Sequence, residues 1–379
     1  MGNTSRLWTL SFTKMCISNM LLYASMYMLL PFFPVYLTEK FGISFITAGW
    51  MIAIFALSLF LLGPFYNYLV DTYRRRTVCL MSLLAIMATI AGYPVVTGLT
   101  LIVALRILQG MFSGMAMMSL GSTLAIDITA SSRRSEANSA IARFGRLGMA
   151  FGPMIGLLLC RLEGYDMAFL ISAGALLLAV LLILTIHVPF RAPIGSSICS
   201  TDRFLLPQGW LLAINLILIT SILGIILVNV SSYLFYLMMA VGVVIGMVAN
   251  SLVFAEADVR ARIVSGLILM GASLLLLVTH EEEIAFITGA LLAGTGLGLA
   301  SFHFLLMLIK TSEHCQRGTA NTTYAFSWEV GVASGILIGC IGKNNNDNSS
   351  YYIGIGIIII ALLLYLGATN AYFLKHRRK

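Results

Sequence analysis

Long apolar stretches alternate with short polar breaks along the whole chain, and the length of those stretches is its dominant pattern. Apolar runs at 12–37, 44–68, 77–97, 99–127, 136–161 and 166–188 precede a polar interval from Pro189 to Gln208, which holds Arg191, Pro193, Ser196, Ser197, Asp202 and Arg203. Six more follow at 209–231, 232–255, 261–279, 284–310, 318–342 and 350–374. Each is long enough to cross a hydrocarbon layer of about 30 Å, which takes about 20 helical residues. The run from 209 to 255 is too long for one crossing and is divided at Ser231–Ser232. The pattern predicts an all-α membrane protein with twelve transmembrane helices. It divides into a six-helix half at 1–188, a linker at 189–208 and a second half at 209–379.

Composition agrees. Apolar residues make up 59% of the chain and charged residues 10%, with mean hydropathy +0.96, where a soluble domain carries about 25% charged residues. The net charge of +8 raises nucleic-acid binding as a possibility, but the basic residues fall in short breaks between apolar runs and read as topology. With both termini inside, seventeen of the 23 Lys and Arg lie in inner segments. Only Lys40, Arg161 and Lys343 lie outside, with Glu281–Glu283 and Asn344–Asn346, and Arg106, Arg143 and Arg146 lie within spans. The expected location is the cell's inner membrane, with both termini cytoplasmic. The first run is too long for a signal peptide and lacks a cleavage site. The six cysteines have no metal-like spacing and read as small buried hydrophobes.

A repeat is visible. The fifth run carries Gly148, Gly152 and Gly156, and the eleventh carries Gly331, Gly335 and Gly339 at an offset of 183. At that offset Gly110 and Gly114 of the fourth run fall one residue from Gly294 and Gly298 of the tenth. Two pseudo-symmetric six-helix halves account for both matches.

Three local signatures then make the chain resemble the major facilitator superfamily. The break from Asn67 to Arg76 follows Gly-x-x-x-Asp-Arg-x-Gly-Arg-Arg/Lys at Asp71, Arg75 and Arg76, but has Asn67, Thr72 and Arg74 where the family has Gly, Arg and Gly. The fourth run holds Arg106, Gln109 and Gly110, matching Arg-x-x-Gln-Gly. The fifth holds Gly148, Gly152, Pro153 and Gly156, matching Gly-x-x-x-Gly-Pro-x-x-Gly. The resemblance implies an inner latch in which Asp71 meets the start of the eleventh helix and Arg75 meets Asp127, with Arg76 alongside. It also implies a proton-coupling role around Arg106, and the fifth-helix motif implies an antiporter that exports solutes.

Other residues stand out on physical grounds alone. Glu329 is the one acidic residue well inside a span; hydrocarbon penalises its charged form, so it is a candidate proton carrier. The alternative is a static pair with Arg146, which stands at the matching position of the fifth run. Arg143 and Arg146, three apart, share a helix face as candidate cavity cations. His303 titrates in a useful range. Asn19, Gln109 and Asn215 could bond a solute from facing helices, and Tyr23, Tyr27, Phe112, Tyr324 and Trp328 could shape the cavity wall.

These readings converge on alternating access: proton-coupled export of a small organic solute by what is expected to be a monomer in the lipid bilayer, without cofactor, metal or nucleic acid. The scaffold also suits nutrient uptake by symport or uniport. An enzyme is disfavoured, because no phosphate loop, HExxH or paired nucleophile and base appears. A lipid-acting enzyme would have to draw on His303 and His314. A sensor would need a sizeable soluble domain.

Overall fold

A computed structural model describes residues 7–188, 197–201, 203–279, 282–313, 316–345 and 348–377. Expectations for residues 189–196 of the linker, Asp202, Glu281, His314, Cys315, Asn346 and the basic residues Arg6, Arg191, Arg378 and Lys379 fall outside that set. Among the described residues, eleven helices are long and apolar enough to cross a membrane, and a bent pair makes a twelfth. Helix is the form a backbone must take in hydrocarbon, because it satisfies its N–H and C=O groups within the segment. The spans are α1 (Leu10–Leu29 with Phe33–Phe41), α2 (Phe45–Thr72), α3 (Arg75–Gly92), α4 (Leu99–Leu124), α5 (Arg134–Glu163) and α6 (Tyr165–Leu184). The second set is α7 (Pro207–Asn229), α8 (Tyr233–Leu252), α9 (Val259–Thr279), α10 (Glu283–Thr311), α11 (Arg317–Asn345) and α12 (Ser349–His376).

The expected continuous first span is instead broken, with a bend of 43°. Pro31 and Pro34 sit at the break; proline removes a backbone donor and crowds the preceding turn. The division of the long run falls where it was expected. Helix α7 ends at Asn229, Val230 is extended, and the Ser232 side chain caps α8 by accepting from Phe235 N. Large apolar side chains such as Trp50, Leu57, Leu170, Leu181 and Ile360 point outward, as surfaces bathed in lipid do and soluble surfaces do not. The cysteines are free among the described residues; Cys16, Cys79 and Cys340 are buried as expected, whereas Cys199 is exposed.

Glycine decides the closest helix contacts. At Gly148, Gly152 and Gly156 a Cβ would strike the backbone of α1 at Met20, Ala24 and Met28. At Gly331 and Gly335 a Cβ would strike the backbone of α7 at Ile217 and Ser221. Without a hydrophobic force between helices in lipid, such small residues allow the contact area that holds them together. The α1–α5 and α7–α11 pairs are therefore built alike, as the repeat predicted. So are α2–α4 and α8–α10, where Gly110 lies on the Phe55 carbonyl and Gly294 on that of Met239. The two sets of six meet through α2 against α11 and α5 against α8. Ala150 of α5 with Ala240 and Val243 of α8 forms a small apolar cluster apart from the main core.

Candidate substrate cavity

The seam between the two sets of helices buries several costly side chains. Arg106 of α4 is buried, 2% exposed, and turns inward rather than toward the membrane surface. Its Nη1 donates to Gln109 Oε1 at 2.8 Å and its Nη2 to the Ile52 carbonyl at 3.2 Å. The guanidinium also lies 5.1 Å from the Phe33 ring centre and 5.0 Å from that of Phe55. Tyr93 donates to the same Gln109 oxygen at 2.6 Å. Gln109 is thus a positioning group for Arg106, one helical turn away on the same face.

Across the seam stands Glu329 of α11, 3% exposed. Tyr27 of α1 donates to Glu329 Oε1 at 3.1 Å and accepts from Trp328 Nε1 at 2.8 Å. One phenol therefore joins the two sets of helices. Arg106, Gln109 and Glu329 line one cavity with Met26, Phe55 and Ala333. Its volume of about 20 Å³ is room for roughly one water, so the seam is closed around it.

Arg146 of α5 is 4% exposed, and Nε, Nη1 and Nη2 all lack a hydrogen-bond partner. The expected alternative, a static Arg146–Glu329 pair, is not formed: the carboxyl is held by Tyr27. The guanidinium instead lies 5.3 Å from the Phe302 ring centre and 5.7 Å from that of Tyr324. Such contacts offset part of a buried charge's cost, by about 0.5–2 kcal/mol each. Arg146 lines a cavity of about 20 Å³ with Trp328, Ser301 and Leu223. It also lines one of about 30 Å³ with Asn19, Tyr23, Asn321 and Tyr324. A larger groove of about 450 Å³, near Trp50 and Leu57 between α2 and α11, is almost wholly apolar and faces outward, where lipid lies.

The seam thus gathers Arg106, Gln109, Glu329, Arg146, Asn19, Tyr23 and Trp328. Three expected site residues fall elsewhere. Arg143 is exposed and its Nε bonds the Ser139 carbonyl of its own helix. Asn215 is a strut, donating to the Ala361 carbonyl at 3.1 Å and Thr369 Oγ1 at 3.3 Å on α12. His303 pairs through Nε2 with Asn250 Oδ1 at 2.8 Å, an oxygen that also accepts from Arg262, and does not line the three seam cavities.

One end of the bundle, where α2 gives way to α3 and the segment before α7 begins, is closed by charges and rings. Arg75 grips Asp127 through Nη1, at 2.7 and 2.8 Å to its two oxygens, and lies 3.6 Å from Asp71. Asp71 does not bond the start of α11 as expected. It accepts at 2.9 Å from Arg203, whose backbone N–H donates to Thr319 Oγ1 of α11 at 3.0 Å. Arg76 stays out of this network and bonds the Leu184 carbonyl at the end of α6, where the helix dipole favours a cation. Beside these, Phe204 from the segment before α7 packs against Phe60 and Phe326, with ring centres 5.3–6.0 Å apart. Sequence reading missed Arg203, Phe204 and Ser301. Arg203 and Phe204 find their partners on α2 and α11, out of reach of any local pattern, and Ser301 stands out only through a hydroxyl that the fold leaves unbonded.

With this geometry in view, comparison with known proteins is direct. Residues 15–255 match the model of the Major Facilitator Superfamily. The chain belongs to that superfamily, whose members are multi-pass membrane transporters of small molecules. It is similar to the multi-drug resistance efflux pump PmrA of Streptococcus pneumoniae, 28% identical over 171 residues, 43% of this chain and 41% of that one. It is also similar to the quinolone resistance protein NorA of Staphylococcus aureus, 22% identical over 204 residues, 54% and 52% of the two chains. The chain thus spans about half or less of these relatives' length. Its fold is like that of a crystallised variant of the nucleoside transporter NupG, with TM-score 0.71, 12% identity, and 94% and 99% of the two chains covered.

Proposed function

We propose that this protein exports a small organic solute in exchange for protons by alternating access. The observation that carries this reading is Glu329: a buried carboxyl facing a cavity with Arg106, tied by Tyr27 to the opposite set of helices. A proton taken up by that carboxyl removes the negative charge that shares a cavity with Arg106 and changes what Tyr27 bonds. Protonation is thereby linked to separation of the halves. The similarity to PmrA, an efflux pump, supports the outward direction, as do Gly148, Gly152 and Gly156 seated on α1, with Pro153 in the same helix. In this reading the protein is a monomer of the cell's inner membrane with cytoplasmic termini. The segment at 189–208 joins the halves on the cytoplasmic side, and Asp71, Arg75, Asp127 and Arg203 form the inner latch.

Inside-out vesicles test the direction. Export by exchange predicts solute accumulation only when the lumen is acidic. Loss of solute from preloaded vesicles under the same gradient assigns proton symport instead. For coupling, Glu329→Gln should reduce gradient-driven accumulation at least about tenfold, a loss of about 1.4 kcal/mol of driving interaction, while solute exchange without a gradient persists. Unchanged pH dependence in this variant removes the carboxyl from the mechanism.

A further inference from the structure

The most expensive feature of the seam is not used by that proton path. Arginine cannot shed its charge in a protein, and a buried cation is tolerated where a partner compensates it. Yet all three nitrogens of Arg146 lack an acceptor at 4% exposure. Two hydroxyl residues of the Arg146 cavities are in the same condition: the hydroxyls of Ser301, which lines one, and Tyr324, which lines the other, are buried without partners. Arg146 of α5, Ser301 of α10 and Tyr324 of α11 thus leave hydrogen-bond donors unanswered along the two cavities that flank the guanidinium. Donors without an acceptor define the complement of an anion. The walls beside them, Met149, Leu223, Met239, Val243 and Leu297, are apolar.

We propose that Arg146, Ser301 and Tyr324 bind the anionic group of the exported solute, a carboxylate or phosphate on an apolar body. This deepens the export reading by naming the substrate class and rests on it. A cationic solute would meet an uncompensated guanidinium there and be repelled. Arg146 supplies two parallel N–H donors to two oxygens of the anion, and the hydroxyls supply the remaining donors. The cavities on either side of the guanidinium are too small for such a solute while the seam is closed, so entry accompanies its opening. The Phe302 and Tyr324 rings hold the guanidinium in place between cargoes.

The test uses the purified full chain in nanodiscs of phosphatidylcholine with no ion gradient. Melting temperature and Trp fluorescence are read with benzoate, phenyl phosphate, benzamide and benzylamine. The expected result is saturable stabilisation by benzoate or phenyl phosphate and none by the neutral amide or the amine. Arg146→Gln should weaken anion binding by about tenfold or more, the effect of losing a charged hydrogen-bond partner. The same variant should melt no lower than the parent without ligand, because it removes an unpaired charge. Should that variant not fold, Ser301→Ala and Tyr324→Phe should each weaken the anions without touching benzamide. Stabilisation by benzylamine or benzamide equal to that by the anions overturns the proposal. So does the absence of any anion effect, or anion binding that survives Arg146→Gln. Phosphatidylglycerol competing away benzoate would assign the pocket to a lipid headgroup and overturn the solute reading. Binding is measured here without transport, so its failure leaves proton-coupled export standing, and failure of export in vesicles leaves anion binding standing.

Discussion

Tyr27 carries more of the seam than its chemistry suggests. Its hydroxyl accepts from Trp328 and donates to Glu329, so one atom ties α1 to two neighbouring residues of α11. Tyr27→Phe leaves the ring in place and removes both bonds, at a cost of about 1–3 kcal/mol for the buried groups left unpaired. The expected outcome is a lower melting temperature together with transport whose dependence on pH is shifted, read in proteoliposomes across a pH series. A lower melting temperature with an unmoved pH profile would make Tyr27 a structural residue only. Glu329 and Arg106 were legible in the sequence because a charge in a span is costly enough to stand out alone. Tyr27 was legible only as a ring on a cavity wall, since its partners lie 302 and 301 residues away. The missing partner of Arg146 was illegible for the same reason: an absence of contacts has no local mark.

At the scale of the helix, glycine sets how closely the paired spans of each half approach. Gly335 sits on the Ser221 carbonyl and against Gly224 of α7. Gly335→Leu forces those backbones apart and should cost about 1–3 kcal/mol, seen as a lower melting temperature in detergent. Gly356, which faces open space, is the control position, where Gly356→Leu should leave stability nearly unchanged. The glycine spacing made matching close contacts by α5 and α11 readable beforehand, but not that α1 and α7 are their partners. The fate of Arg143 was not readable. Three residues fall short of a full helical turn by about 60°, and at the edge of a narrow seam that is enough to put Arg146 inside and Arg143 outside. Asn215 illustrates the same limit from α7, where one buried amide serves equally well as a strut to α12 or a hook for cargo until its neighbour is known.

For the whole molecule, the end where α2 meets α3 is fastened by a short chain of charges, from Asp127 through Arg75 and Asp71 to Arg203 and so to α11. Breaking a buried pair by removing one partner costs about 3–5 kcal/mol, so Asp71→Asn should bias the protein toward opening at this end. In a background with the native cysteines replaced by serine and carrying Asp71→Asn, a cysteine reporter made by Asn321→Cys should label faster with a membrane-impermeant maleimide added from that side. Equal labelling with and without the Asp71 change would show that this fastening does not hold the closed state. Twelve spans in two similar halves were legible from apolar run length and the glycine repeat. The fastening was legible in part: Arg75 and Asp127 meet, but Arg203 takes the place expected of α11. The polar interval reads as a tether in sequence, because nothing in its composition reveals where it docks.

That docking changes what the connector is. Ser200 bonds the Pro64 carbonyl, Phe204 lies against Gly63 between Phe60 and Phe326, and Leu206 bonds Thr323. The connector is thus wedged like a cork between α2 and α11, across the line where the two sets of helices meet. On the export reading, opening at this end has to pull that ring out and closing has to seat it again, so Phe204→Ala should speed labelling of the seam from this end if the fit of this short string holds the closed state.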